Sequence, residues 1–126
     1  MKTVQHFGAA KVPLTPAVRA GDYIFVSGQV PTDQAGRITD PTIEGQTQLV
    51  LEKMAALLEL AGASMSQIVK VNVFLADARD FGAFNVVYAK AFSELPPART
   101  TSEGQLMIPI KVEIDAIAYA PLGAGN

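Results

Sequence analysis

Cysteine is absent from this chain of 126 residues, which removes disulfides, iron–sulfur ligation and thiolate nucleophiles, and suits a reducing compartment. Histidine occurs once, as His6, so a multi-histidine metal site is excluded and a Ser-His-Asp triad would have to recruit the N-terminal segment. Charge is sparse: 17% of residues are charged and the net charge is -2, with no basic cluster to track a nucleic acid. No apolar run approaches the ~18–20 residues that cross a bilayer, and the first residues lack an export-signal pattern. No glycine spacing matches a phosphate-cradling loop. These absences lead us to expect a soluble, cytoplasmic protein with no metal, no cofactor, and no nucleic-acid or membrane partner.

What is present fits one domain, residues 1–126, long enough to bury a core without staples. Nearly half the residues are apolar, and the low charge suits a surface partly buried between subunits. Residues 1–16 read as mixed, with an extended piece between Pro13 and Pro16. Ala17–Ala20, the turn Gly21-Asp22 and Tyr23–Ser27 read as a hairpin, with Gly28 directly after it. Asp40-Pro41 reads as an N-cap followed by proline at the first helical position. An apolar stripe through Val50, Leu51, Met54 and Leu58 then predicts a helix closed by Gly62.

Val69, Val71, Val73 and Leu75 predict a strand with one buried face. Asp80 can cap a second helix, which carries the aromatic stripe Phe81, Phe84, Tyr88 and Phe92. Ala98–Gln105 and Ile110–Tyr119 complete the order β-β-α-β-α-β-β. The expected fold is α+β: a mixed sheet with two helices packed on one face, the other face covered by further subunits.

Within the last third, Pro96-Pro97-Ala98-Arg99 places an arginine at the mouth of a strand. Its guanidinium stays charged and offers a planar fork of donors matched to a carboxylate, so a site built on it would bind a small organic acid. Glu113 and Asp115 share one parity on the last strand, and alternation alone does not separate them.

Five segments then occur in order: Ser27-Gly28-Gln29-Val30-Pro31, Val69–Leu75, Phe84-Asn85-Val86-Val87-Tyr88, Pro97-Ala98-Arg99-Thr100 and Lys111–Ala118. Together they resemble the RidA family (YjgF/YER057c/UK114, also called endoribonuclease L-PSP) from about Ala17 to Tyr119. The resemblance implies a chorismate-mutase-like fold and a homotrimer with clefts between subunits. It also implies cofactor-independent hydrolysis of reactive enamines and imines, such as 2-aminoacrylate, to 2-keto acids and ammonia. By position, Arg99 matches the arginine that grips the substrate carboxylate, and Glu113 the glutamate near the attacking water. Thr101 stands where many members carry cysteine and could hold water but not act as a thiolate. Ser27, Gly28 and Asn85 fall where the pocket is shaped; a turn-forming pair and a solvated helix residue are their plain alternatives. Ala17 departs from the family's best-studied branch, which has a pocket-closing tyrosine after the corresponding proline. A trimer that binds small carboxylates without catalysis is the competing expectation, and a ribonuclease a weaker third.

Overall fold

The apolar stripe of the sequence becomes helix α1 (Ile43–Leu60) in the computed structural model, which describes residues 3–123. The helix starts two residues later than the Asp40-Pro41 pattern predicts. Thr42 is the N-cap, its Oγ1 accepting from the amide of Gly45 at 3.0 Å. Asp40 braces that cap instead, its carboxylate accepting from the Thr42 amide at 2.8 Å and the Thr42 hydroxyl at 2.6 Å. Both side chains have cap chemistry, and the one that reaches the third helical amide sets the boundary. The other end closes as predicted. Gly62 takes φ +87°, Gly62 N–H donates to the Glu59 carbonyl at 3.1 Å, and Ala63 N–H donates to the Leu58 carbonyl at 2.8 Å.

Six strands form one sheet: β1 (Val4–Phe7), β2 (Ala17–Ala20), β3 (Tyr23–Gln29), β4 (Ile68–Leu75), β5 (Ala98–Glu103) and β6 (Val112–Tyr119). Their lateral order is β1-β2-β3-β6-β4-β5, antiparallel throughout except for the parallel pair β4–β5. Because β6 is antiparallel to both β3 and β4, those two run parallel to each other. The chain therefore makes two successive crossovers in the same direction, through α1 and then α2 (Phe81–Ala91). Crossovers of one hand place both helices on the same face. The strand absent from the sequence reading is β1. It is short, largely exposed and at the sheet edge, so it carries almost no hydrophobic alternation. Two other boundaries also move: β5 ends at Glu103 and β6 begins at Val112, with a loop between them.

The register builds one transverse row under the helices. Ala17 pairs with Val26, Val26 with Ala116, Ala116 with Val71, and Val71 with Arg99. The first four are buried in the core, which also contains Val73, Leu75, Ile114 and the α1 stripe. Arg99 ends the row on the edge strand. The opposite face keeps Tyr23, Phe25, Phe74 and Tyr119 exposed, with the Tyr23 and Tyr119 rings 5.2 Å apart.

Arg19, which alternation would place as an ordinary strand residue, is only 5% exposed. Its guanidinium donates to the carbonyls of Ala120 (2.7 Å), Gly21 (3.1 Å) and Ala61 (3.3 Å). These are backbone acceptors at the end of β6, the β2–β3 turn and the end of α1.

The second helix begins differently from the sequence expectation. Asp80 occupies the position before α2 but has helical backbone and makes no side-chain cap bond. A 3₁₀ turn, Ala78–Asp80, precedes it, so the capping moves back one turn. Asp77 accepts from the Arg79 amide at 2.9 Å and Glu103 from the Ala78 amide at 2.7 Å.

Candidate functional site

Arg99 and Glu113 lie on opposite faces of the same sheet. Arg99 pairs with Val71 and shares the helix-covered face, whereas Glu113 pairs with Phe74 on the open face. The chain therefore carries two separate constellations.

The first is built on β5 and α2. The Arg99 Cζ lies 4.7 Å from the ring centroid of Tyr88 and 5.5 Å from those of Phe84 and Phe81. Those rings occupy positions i, i+3 and i+7 of α2, so one helix face presents all three. Cation–π contacts contribute roughly 0.5–2 kcal/mol depending on desolvation, and they leave the N–H donors free. Among the described residues the Arg99 side chain makes no ion pair, the single pair being Arg79–Asp77. Thr101 shares the Arg99 face of β5 and, with Leu75, Ala78 and Phe81, walls an adjoining cleft of about 240 Å³. Asn85 sits on α2 between Phe81 and Tyr88, half-buried. Tyr88 is buried, and its hydroxyl has no hydrogen-bond partner among the described residues. Burial pushes the Tyr88 phenol up, and the nearby Arg99 charge offsets part of that rise.

The second constellation is built on β3 and β6. The pairing between them is irregular from Val26 to Gln29, and this brings Gly28 against Glu113. A Cβ at Gly28 would overlap the Glu113 carboxylate where it now lies, so any larger residue there displaces that side chain. Burial pushes the Glu113 carboxyl above its ordinary value, and the neighbouring Asp115 charge adds to the rise. The structure also separates the two acids that alternation could not. Asp115 accepts from the Asn72 amide nitrogen at 3.0 Å, while Glu113 faces a cleft of about 740 Å³ walled by Leu14, Pro16, Gly28, Lys53 and Met107.

Ser27 supports this wall from behind, because its hydroxyl donates to the Thr15 carbonyl at 2.7 Å. Lys53 does the same for the strand end, donating to the carbonyls of Val30 (2.7 Å) and Thr32 (3.0 Å). Desolvation lowers the Lys53 pKa, with Asp33 acting in the opposite sense. Sequence reasoning did not select Lys53; its place in the α1 pattern, facing Val30 only in three dimensions, gave no local signal. Ala17, the departure from the family's best-studied branch, has no exposed surface and packs in the core. Pro16, and not Ala17, lines the cleft. Among the described residues no group of three His, Cys, Asp or Glu side chains could hold a metal ion.

Comparison with known proteins places this architecture. A family model described as Endoribonuclease L-PSP matches residues 5–120. The chain belongs to that family. A RutC family protein of Pyrococcus horikoshii is 43% identical over 109 residues, covering 85% of this chain and 86% of the relative. The chloroplastic Reactive Intermediate Deaminase A of Arabidopsis thaliana is 37% identical, covering 87% of this chain and 60% of the plant protein. Among solved structures, yeast Mmf1 superposes with a TM-score of 0.89 at 31% identity, covering 94% of this chain and 99% of that one. RidA from an Antarctic Psychrobacter gives 0.84 at 32% identity, covering 94% and 99%. Relatives of the chain thus include a protein named a deaminase. The fold of this member is the family's, with the sheet, both helices and the two constellations built by its own residues.

Proposed function

We propose that the chain hydrolyses imines and enamines of 2-amino acids, with 2-aminoacrylate as the model substrate, to 2-keto acids and ammonia. The site is a cleft shared by two subunits of a homotrimer, Arg99 coming from one and Glu113 from its neighbour. The observation that carries this reading is the pairing of an uncompensated guanidinium on one face with a desolvated carboxylate on the other. Each is half of a site for a small acid with an electrophilic carbon, and the exposed rings of the open face need a second copy to cover them.

In this scheme the enamine first tautomerises to the imine. Arg99 takes the carboxylate with two parallel N–H donors, and Asn85 and the bare backbone at Gly28 shape the pocket around it. Thr101 and Glu113 hold one water in line with the C=N carbon. Glu113 accepts a proton as the water oxygen bonds to that carbon, and the nitrogen is protonated, giving a carbinolamine. The C–N bond then breaks, ammonia leaves with a proton, and the C=O bond forms. Water is the sole co-reactant, so no cofactor is required.

The family description names an endoribonuclease, but ten Lys and Arg against twelve Asp and Glu, with one His, supply no cationic track for RNA. The test couples the chain to an enzyme that releases 2-aminoacrylate and traps the imine with semicarbazide. Trapping should fall as the chain is added and stay high with Arg99→Ala. Unchanged trapping at every protein concentration overturns the deaminase reading. Thermal stabilisation by a 2-keto acid without any turnover would assign the same cleft to ligand binding alone.

A further inference from the structure

The Arg99 side chain is half-buried, and among the described residues nothing acidic pairs with it. What surrounds it is aromatic. Of the three rings, Tyr88 is nearest to the guanidinium, at 4.7 Å. It is also held on both sides, its centroid 5.4 Å from that of Phe84 and 4.6 Å from that of Phe92. Phe81, by contrast, is exposed. A ring locked within a stack offers a fixed electron-rich face, and a cation resting on it keeps its N–H groups for an incoming anion.

We propose that Tyr88 is a positioning residue for Arg99: its ring, clamped between Phe84 and Phe92, fixes the guanidinium so that its donors face the substrate carboxylate. The inference rests on the reading above that Arg99 binds that carboxylate. The Tyr88 hydroxyl adds a second, independent observation. It is buried without a partner, an arrangement that costs stability and that phenylalanine would avoid. Arg99 opposes the burial-driven rise of this phenol by its charge and as a hydrogen-bonding neighbour, in an arrangement that falls short of a formed bond. An Arg99 N–H is the donor it lacks, and a small turn of the guanidinium on substrate binding would supply it.

The experiment uses the full chain with Tyr88→Leu and Tyr88→Phe, each checked for folding by circular dichroism and for assembly by size exclusion. Pyruvate affinity is measured by calorimetry, and KM and kcat with the coupled imine assay. Tyr88→Leu should weaken pyruvate and raise KM by about five- to tenfold with kcat within about twofold, and Tyr88→Phe should recover most of that loss. An unchanged KM in folded Tyr88→Leu, or a fall in kcat at constant KM, overturns the proposal.

Should the leucine variant fail to fold, the guanidinium NMR signal of Arg99 in the unmodified protein decides. That signal, assigned by its loss in Arg99→Lys, should be sharp and shifted upfield by ring current; a motionally averaged signal at the free-arginine position overturns the proposal. If the unmodified chain neither binds pyruvate nor turns over an imine, the functional reading fails, while the same signal still judges the positioning.

Discussion

The two constellations of this chain are built by opposite means. Around Arg99 the environment is made of side chains: three rings on one helix face surround a cation on an edge strand. Around Glu113 it is made of backbone: a register irregularity and a glycine let the carboxylate lie against the chain itself. A cage of side chains tolerates trimming one member at a time. A side chain lying against backbone admits an added atom only by moving away. The difference teaches that conservative changes should be graded at the first and abrupt at the second.

The largest expected effect comes from Glu113→Gln, which removes the group proposed to accept water's proton and should lower kcat by about a hundredfold or more. In the unmodified protein kcat/KM should rise as pH increases through the raised Glu113 pKa, and that acid limb should vanish in the variant. Stability follows the opposite direction. Folding raises this pKa, so the native state holds the proton more tightly than the unfolded chain does. The contribution is complete below the ordinary glutamate value and is lost as pH climbs through the raised one. Melting curves across that window should show a decline in the unmodified chain that Glu113→Gln lacks.

Next in size is Arg99→Ala. Losing two charge-assisted hydrogen bonds at ~1.5 kcal/mol each should reduce kcat/KM by about a hundredfold, chiefly through KM. Mixing this variant with Glu113→Gln under subunit exchange sharpens the comparison. If each cleft takes its arginine from one subunit and its glutamate from the next, about one site in four becomes intact at equal mixing. Activity that stays at the level of the separate variants would sink the shared-cleft arrangement.

Gly28→Ala should reduce kcat/KM by roughly tenfold by displacing the Glu113 carboxylate, an effect read most cleanly as a shifted acid limb with little change in pyruvate affinity. The smallest effect belongs to Asp115→Asn. Its carboxylate is engaged by Asn72, so kcat should stay within about twofold, while the acid limb moves down because a charge beside Glu113 is gone.

How much of this was legible beforehand depended on whether the signal was local. The α1 stripe and its closure at Gly62 are local, and both appear as read. The N-cap was misplaced because Asp40 and Thr42 both carry the right chemistry and only geometry ranks them. Strand β1 was missed because Val4-Gln5-His6-Phe7 pairs through backbone and buries little. Candidate site residues could be named one by one, and the α2 stripe was visible. Their division between two faces was not, because it depends on β6 lying between β3 and β4, and on a register no single strand encodes. The partner of the Ser27 hydroxyl was equally hidden, because the carbonyl it donates to lies twelve residues earlier in the chain.

Arg19 has one more consequence. By gripping acceptors 42 and 101 residues away, it knots a turn, a helix end and a strand end into one unit. Amide exchange at those three places should therefore slow and quicken together, and a blow struck at any one of them should be felt at the other two.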